Sequence, residues 1–551
     1  MAFPNGLIEL AEGLFQLGVK DIILCPGSRN APLILSFNRN GNFRTYSIVD
    51  ERSAAYFGLG LARKSNNPVA ICCTSGTAAL NFAPAIAEAY HSKVPLIVLT
   101  ADRPKEWLGQ WDNQMINQTN LYQNYIHYFV EYPTHEIKSK SEDLNWYRNR
   151  IINEAYAHSM IYQKGPVHLN IPISEPFYPE TNELLTASFA FKKLNFSLNS
   201  NLLTNSNKNR LEEIIFSNNK ILISLGQSPK KPDLDAIIAE YDALGIPILS
   251  EPISNIAFGI SPDLILGKNV KKLPTKPNLV IHIGGSVISK NHKKYLRDSA
   301  IKEIWLVNNE HNQQIPDTYQ GITEIIDLEP ETFLSDFLDS VKKLNLETSY
   351  YKEWKELANN SLKELTERLS NNPLEFSELN IWYHIFEAAK NQELDLHLGA
   401  SMSARYPNLV GWQSKFHHCF ANRGTSGIDG VLSSAIGSSQ VNLEKINLCI
   451  LGDLSFQYDK NGIWNKYVHP NNRIIIINNS GGGIFRLLEG SSRQPELEEF
   501  IETKQETSAK LIAESYAINY RAIQNIPSLR AELPRFLDLK IPGPRILEIE
   551  I

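Results

Sequence analysis

Asn447-Leu448-Cys449-Ile450-Leu451 runs directly into Gly452-Asp453-Leu454-Ser455, and Arg473-Ile474-Ile475-Ile476-Ile477 into Asn478-Asn479-Ser480-Gly481-Gly482-Gly483-Ile484-Phe485. Each opening run is short and almost continuously apolar. That pattern predicts a strand buried on both faces, hence a parallel sheet covered by helices. Glycine and polar residues then end the strand and leave oxygen-bearing side chains at its carboxyl end, where ligands of open α/β sheets collect.

The same pattern recurs on either side. Residues 21–24, 69–73, 95–99 and 167–171 are apolar runs alternating with helical spacing, which implies βαβ units. Each ends in small or polar residues: Cys25-Pro26-Gly27-Ser28-Arg29-Asn30, Thr74-Ser75-Gly76-Thr77 and Thr100-Ala101-Asp102-Arg103-Pro104. Residues 181–210 lose the alternation and read as a linker, with Asn199-Ser200-Asn201 and Asn205-Ser206-Asn207 as breakers. Further strands are expected at 221–225, 247–249, 279–283 and 303–307, and at 394–398 before the two that open this section. Between them lies a charged helical stretch, 335–390, broken at Asn371-Asn372-Pro373. The expected fold is α/β, with three doubly wound, mostly parallel-sheet domains at residues 1–180, 181–350 (linker included) and 351–551.

Composition agrees. A chain of 551 residues, 42% hydrophobic and 21% charged, is long enough for several buried cores. A net charge of −6 offers no broad cationic surface for nucleic acid. Five cysteines without a C-x-x-C pair make no disulfide framework and suggest a reducing cytoplasm. The first residues lack a signal-peptide pattern, and no run approaches the roughly 18 apolar residues of a membrane span, so neither secretion nor membrane insertion is expected.

The chemistry lies at the strand ends. Asp453, the Asn479 side-chain oxygen 26 residues later and a backbone carbonyl at Gly481 are hard donors suited to Mg²⁺ or Mn²⁺ that also binds phosphate oxygens. The adjacent glycines let backbone amides approach those phosphates. The pair resembles the diphosphate and metal motif of thiamine-diphosphate-dependent enzymes, with Leu454 where a second glycine is usual. Val49-Asp50-Glu51-Arg52-Ser53 supplies the matching acid. By the resemblance, Glu51 hydrogen-bonds the cofactor's aminopyrimidine ring and promotes the imino form that removes the thiazolium C2 proton.

Cys25-Pro26-Gly27-Ser28-Arg29-Asn30, Thr74-Ser75-Gly76-Thr77-Ala78-Ala79, Thr100-Ala101-Asp102-Arg103-Pro104 and Asn422-Arg423-Gly424-Thr425-Ser426-Gly427-Ile428-Asp429-Gly430 narrow the match. Spread along the chain, they resemble the 2-succinyl-5-enolpyruvyl-6-hydroxy-3-cyclohexene-1-carboxylate synthase family of menaquinone biosynthesis. The resemblance implies a transferase that decarboxylates 2-oxoglutarate on thiamine diphosphate and adds the succinyl unit 1,4 to isochorismate. It names the domains pyrimidine-binding, central and diphosphate-binding. It further implies a homodimer or dimer of dimers with active sites at the subunit interface.

Residue by residue, the resemblance assigns Ser28, Arg29, Arg103, Gln114, Lys290, Ser401, Arg405, Arg423, Ile484 and Phe485 to substrate. Pro26, Gly399, Ser401, Ile428, Leu454, Ser455, Asn479 and Gly482 join Glu51 at the cofactor, with Ile428 as the apolar wedge that bends it. Arginine forks suit the carboxylates of both substrates, and an apolar wall favours a decarboxylation that consumes charge. No histidine lies in these motifs. Departures from the family pattern fall at Asp112, Asn291 and Ala400.

Two other motifs carry less. His417-His418-Cys419 lacks a partner pair at zinc-ligand spacing, and Gly58-Leu59-Gly60 lies in a helical pattern without the third glycine of a dinucleotide site. Competing readings are another thiamine-diphosphate 2-oxo acid decarboxylase or acetolactate-type synthase, and a noncatalytic α/β binding module.

Overall fold

The structure, a computed structural model, describes residues 4–134, 141–175, 177–178, 190–196, 203–267, 273–297, 300–308, 315–410, 418–487 and 490–551. Three sheets carry it. The first contains β1 (Asp21–Leu24), β2 (Arg44–Ser47), β3 (Val69–Cys73), β4 (Leu96–Asp102), β5 (Phe129–Glu131) and β6 (Val167–Pro172), in the order β2-β1-β3-β4-β6-β5. The second contains β7 (Ile221–Leu225), β8 (Ile248–Leu249), β9 (Leu279–Ile283), β10 (Glu303–Val307) and β11 (Glu324–Ile326), in the order β11-β10-β9-β7-β8. The third contains β12 (Leu394–Leu398), β13 (His418–Ala421), β14 (Ile446–Gly452), β15 (Asn472–Asn478), β16 (Asn519–Ile523) and β17 (Arg545–Glu550), in the order β13-β12-β14-β15-β17-β16.

Every described strand pair is parallel, so the sheets are uniform rather than mostly parallel. The strands that sequence patterning passed over are β2, β5, β11, β13, β16 and β17. Five of these lie at or next to a sheet edge with few apolar residues, and β17 alternates Arg and Glu with Ile and Leu. Matching β1–β6 to β12–β17 makes the first and third strand orders identical. In both, the order reverses between the first and third strands of the sheet, which is where ligands seat outside the carboxyl ends.

Six helices position the strand-end residues: α1 (Glu51–Ser65), α2 (Ala83–Ser92), α3 (Lys290–Leu296), α4 (Met402–Leu409), α5 (Val431–Ser439) and α6 (Asp453–Asp459). The first and third sheets share one core. Ile23, Phe57 and Ile71 belong to the same buried apolar cluster as Leu432, Ile436, Leu451 and Ile476. Its centre is the crossing of α1 and α5, where backbones touch: a Cβ on Gly60 would lie 1.9 Å from the Ser434 carbonyl oxygen, and one on Gly437 2.0 Å from that of Phe57. The Gly58-Leu59-Gly60 motif is thus part of a helix, and Gly60 serves helix packing. Beside the crossing, Lys64 Nζ pairs with Asp395 Oδ2 at 2.7 Å and lies 2.8 Å from His418 Nδ1. His417 lies outside the described residues.

The middle sheet has its own apolar clusters, onto which Tyr350 and Trp354 of the helix Thr348–Asn371 pack. All five cysteines are buried and free. Among the described residues, no helix is long and apolar enough to cross a membrane.

Candidate active site

Adjacent strands β14 and β15 deliver the expected metal donors side by side. Asp453 opens α6 and is buried, and its Oδ2 has no hydrogen-bond partner. Burial pushes its carboxyl up to about 6, against backbone N–H groups, including those of Leu454 and Gly481, that favour the charged form. An orphaned buried carboxylate oxygen costs about 1–3 kcal/mol, and a hard cation would relieve it. Asn479 donates its amide to Glu378 Oε1 at 3.0 Å, which leaves the amide oxygen as its acceptor for a ligand. The Gly481 carbonyl accepts the Gly483 N–H at 3.1 Å and keeps a second lone pair; at φ +149°, residue 481 has to be glycine. These donors fit a divalent cation of the magnesium type.

Gly399, expected at the cofactor, follows β12. The Gly399 N–H donates to the Ile450 carbonyl at 2.8 Å, and a Cβ at Gly399 would press on Leu451 Cα at 3.0 Å. A Cβ at Gly452 would meet only the Ile477 carbonyl oxygen, at 4.0 Å, among the described residues, so this strand end has room. The Gly482 N–H is committed to the Glu502 carbonyl at 2.7 Å, and Arg486 holds the Glu502 carboxylate by a bidentate fork. Ile484 and Phe485 follow, both half-buried. Ser455 Oγ donates to the Ile428 carbonyl at 3.1 Å, tying α6 to the loop before α5, and Leu454, the second residue of α6, is half-buried. Ser401, Ser426, Ser480 and Gln114 all take left-handed backbone conformations, with φ from 58° to 64°. Non-glycine residues held this way cost energy and concentrate at functional sites.

Glu51 is the first residue of α1, behind the N-cap Asp50, whose side chain accepts the Ser53 N–H at 3.2 Å. Burial raises the Glu51 carboxyl above the usual range; its own backbone N–H opposes this and the Asp50 charge adds to it. Its charge also raises the nearby Cys25 thiol, so the acid sits beside the loop that carries Pro26 and Ser28. Arg52, next in the helix, donates to the Asp429 carbonyl and to Asp459 Oδ1, and Asn461 donates to Asp50 Oδ2 at 2.7 Å. The residues that flank Glu51 thus bind Asp429, Asp459 and Asn461 of the third unit within the same chain.

The anion-binding candidates form two groups. Arg29 and Arg103 follow β1 and β4. Arg29 donates to the Ile173 carbonyl at 2.9 Å, lies over the Phe177 ring and feels the Arg103 charge. Arg103 donates to Asp112, to Ser75 Oγ at 3.1 Å and to the Gln114 carbonyl at 3.2 Å. The Gln114 side chain and Ser28 are exposed. In the second group, Arg405 of α4 and Arg423 after β13 each have a buried Nε without a partner among the described residues. Burial lowers the Arg423 pKa; Glu251 opposes and Arg405 adds to the shift. Lys290 opens α3 in an exposed position. No hydrogen bond or ion pair among the described residues joins the two arginine groups.

Four supporting acids carried no motif. Glu88 of α2 accepts the Gly424 N–H at 3.0 Å, the Thr425 N–H at 2.6 Å and Thr425 Oγ1 at 2.9 Å, and pairs with Arg63, which donates to Asn422 Oδ1 at 2.7 Å. It thereby fixes the backbone on both sides of Arg423. Glu251 accepts the Ile288 and Ser289 N–H groups, each at 2.7 Å, and the Asn408 amide at 3.1 Å; burial still pushes its carboxyl to about 7. Glu378 orients Asn479, and Asp112 occupies Arg103. The only hint in sequence was that Asp112 departs from the family pattern. The other departure near a base, Asn291, donates to Asp263 Oδ1 at 2.8 Å.

Residues 6–121 match the family described as thiamine pyrophosphate enzyme, N-terminal TPP binding domain. Nearly the whole chain matches proteins named 2-succinyl-5-enolpyruvyl-6-hydroxy-3-cyclohexene-1-carboxylate synthase. The Cytophaga hutchinsonii protein is 36% identical over 99% of this chain and 96% of its own length. The Bacteroides thetaiotaomicron protein is 34% identical over 97% and 93%, and that of Flavobacterium johnsoniae 33% identical over 100% and 97%. With the strand-end residues in place from one end of the chain to the other, this chain belongs to the 2-succinyl-5-enolpyruvyl-6-hydroxy-3-cyclohexene-1-carboxylate synthase family of thiamine-diphosphate-dependent enzymes.

Proposed function

We infer that the chain is a transferase of menaquinone biosynthesis that decarboxylates 2-oxoglutarate and adds the resulting succinyl unit 1,4 to isochorismate. What carries this reading is the pair Arg405 and Arg423, each with a buried Nε that has no partner among the described residues, on a helix and a loop that follow the same sheet's strands as Asp453 and Asn479. Cations for carboxylates thus accompany oxygen donors for a metal and diphosphate. Thiamine diphosphate, when bound, supplies the nucleophilic carbon that attacks the 2-oxo group and the electron sink that lets carbon dioxide leave.

The chain's residues do the rest. Asp453, Asn479 through Oδ1 and the Gly481 carbonyl would hold Mg²⁺ or Mn²⁺, whose charge would offset that of the diphosphate. Glu51, with its carboxyl pKa raised by burial, would hold a proton for exchange with a pyrimidine nitrogen at a carboxyl oxygen. Ile428 would pack against the cofactor, Ile484 and Phe485 would exclude water, and Arg29, Arg103, Arg405, Arg423 and Lys290 would bind substrate carboxylates. Ser28, Gln114 and Ser401 orient the substrate by hydrogen bonds. Residues 1–180 bind the pyrimidine, 351–551 the diphosphate, and the central unit within 181–350 contributes Lys290.

Two copies pair as a homodimer or dimer of dimers, with active sites at the interface. Exposed apolar residues beside the site, Val49 at 48% and Ile428 at 38%, support this. The free, buried cysteines suit a cytoplasmic enzyme. The test is incubation with thiamine diphosphate, Mg²⁺ and 2-oxoglutarate, with and without isochorismate. The cyclohexene adduct, detected by mass spectrometry, should form only with both substrates; its absence would overturn the assignment. Mixing Glu51→Gln copies with Arg423→Ala copies should restore a measurable part of the lost turnover if sites form between copies.

A further inference from the structure

Arg103 and Asp112 are unequal partners. The arginine side chain is fixed and 7% exposed, while the carboxylate is 40% exposed on an irregular surface loop. Asp112 Oδ2 receives Nε of Arg103 and Oδ1 receives the Asn113 N–H at 2.9 Å; among the described residues no other group holds this carboxylate. Nη1 of Arg103 goes to neutral oxygens, Ser75 Oγ and the Gln114 carbonyl. Arg29 adds a second positive charge nearby. An exposed carboxylate on a buried guanidinium, with another arginine close by, presents the chemistry of a bound carboxylate ligand. The backbone on both sides of it is unfavourable: Trp111, 98% exposed, and Gln114 each have φ 58° without being glycine.

We propose that Asp112 is a built-in stand-in for a substrate carboxylate: it occupies Arg103 in the substrate-free enzyme and must leave when the substrate arrives, so position 112 sets the affinity for that substrate. This rests on Arg103 being a substrate ligand, as inferred above. A site occupied by its own carboxylate nine-tenths of the time binds an outside one about tenfold more weakly than a vacant site. A residue that merely steadied Arg103 would have the opposite effect when removed.

The experiment measures KM and kcat for 2-oxoglutarate and for isochorismate with the enzyme saturated in thiamine diphosphate and Mg²⁺, comparing Asp112→Asn, Asp112→Ala and Arg103→Ala. The expected result is a KM lowered several-fold, up to about tenfold, for one of the two substrates in both Asp112 variants, and raised for the same substrate in Arg103→Ala. A raised or unchanged KM in the Asp112 variants, with Arg103→Ala still raising it, overturns the stand-in role alone. Unchanged KM values for both substrates in Arg103→Ala overturn the substrate role of Arg103 as well.

Discussion

The first and third sheets have the same strand order and put opposite chemistry on matching strands. After the second strand of each, one offers Glu51 and the other Ile428; after the third, one offers Ser75 and the other Asp453; after the fourth, Arg103 faces Asn479 in the match. On the proposed reading one topology has been furnished twice, once with the proton-transfer acid Glu51 and the arginines Arg29 and Arg103, once with the metal donors Asp453 and Asn479 and the arginines Arg405 and Arg423. The lesson is that topology decides where a side chain can act, and residue identity decides what it does there.

The comparison breaks most visibly at its two acids. Glu51→Gln should keep cofactor binding, measured calorimetrically, while cutting C2 proton exchange and turnover by about 10² to 10⁴. Asp453→Asn should instead lose Mg²⁺-dependent cofactor binding itself. If both variants fail in the same way, the division of labour between the sheets is wrong.

Next in size is the seam between them. Gly60→Ala would drive a methyl into the Ser434 carbonyl. Overpacking against backbone should cost roughly 3 kcal/mol, read as a lowered denaturation midpoint. Glu88→Gln removes a charge from three hydrogen bonds around Arg423 while keeping the shape of the side chain. It should cost about 1–3 kcal/mol and raise KM for a carboxylate substrate more than it lowers kcat.

The smallest effect concerns pH. Glu251 has its folded pKa raised from 4.5 to about 7, mainly by burial. Its contribution to stability is therefore complete below about 4.5 and lost as pH rises through about 7. Glu251→Gln should flatten the melting temperature between pH 5 and 8, by the equivalent of about 1–3 kcal/mol. A profile parallel to that of the unaltered protein would exclude Glu251 as the titrating group.

These residues differ in how far sequence reveals them. Asp453 and Asn479 were legible because apolar runs end directly before them, so strand and ligand are read from one stretch. Glu51 followed from its place behind Asp50 and the family pattern. Glu88 gave no such sign: it sits inside a helix, and its partner Thr425 is 337 residues away. Glu251 likewise meets Asn408 across 157 residues. Edge strands such as β2, with the sequence Arg-Thr-Tyr-Ser, escaped because pairing on one side needs little hydrophobic run. What sequence patterning reads is local burial; what it misses is any side chain whose reason lies on another element.

The crossing of α1 and α5 also bears on how the chain is born. Val431 follows Ser65 by 366 residues, which at ribosomal speed is roughly 20 to 70 s of synthesis. Throughout that interval the nascent first sheet presents a greasy face whose natural cover has not yet been translated. The cell must shield it, so yield on overexpression should depend more on chaperone supply than on the stability of the finished enzyme.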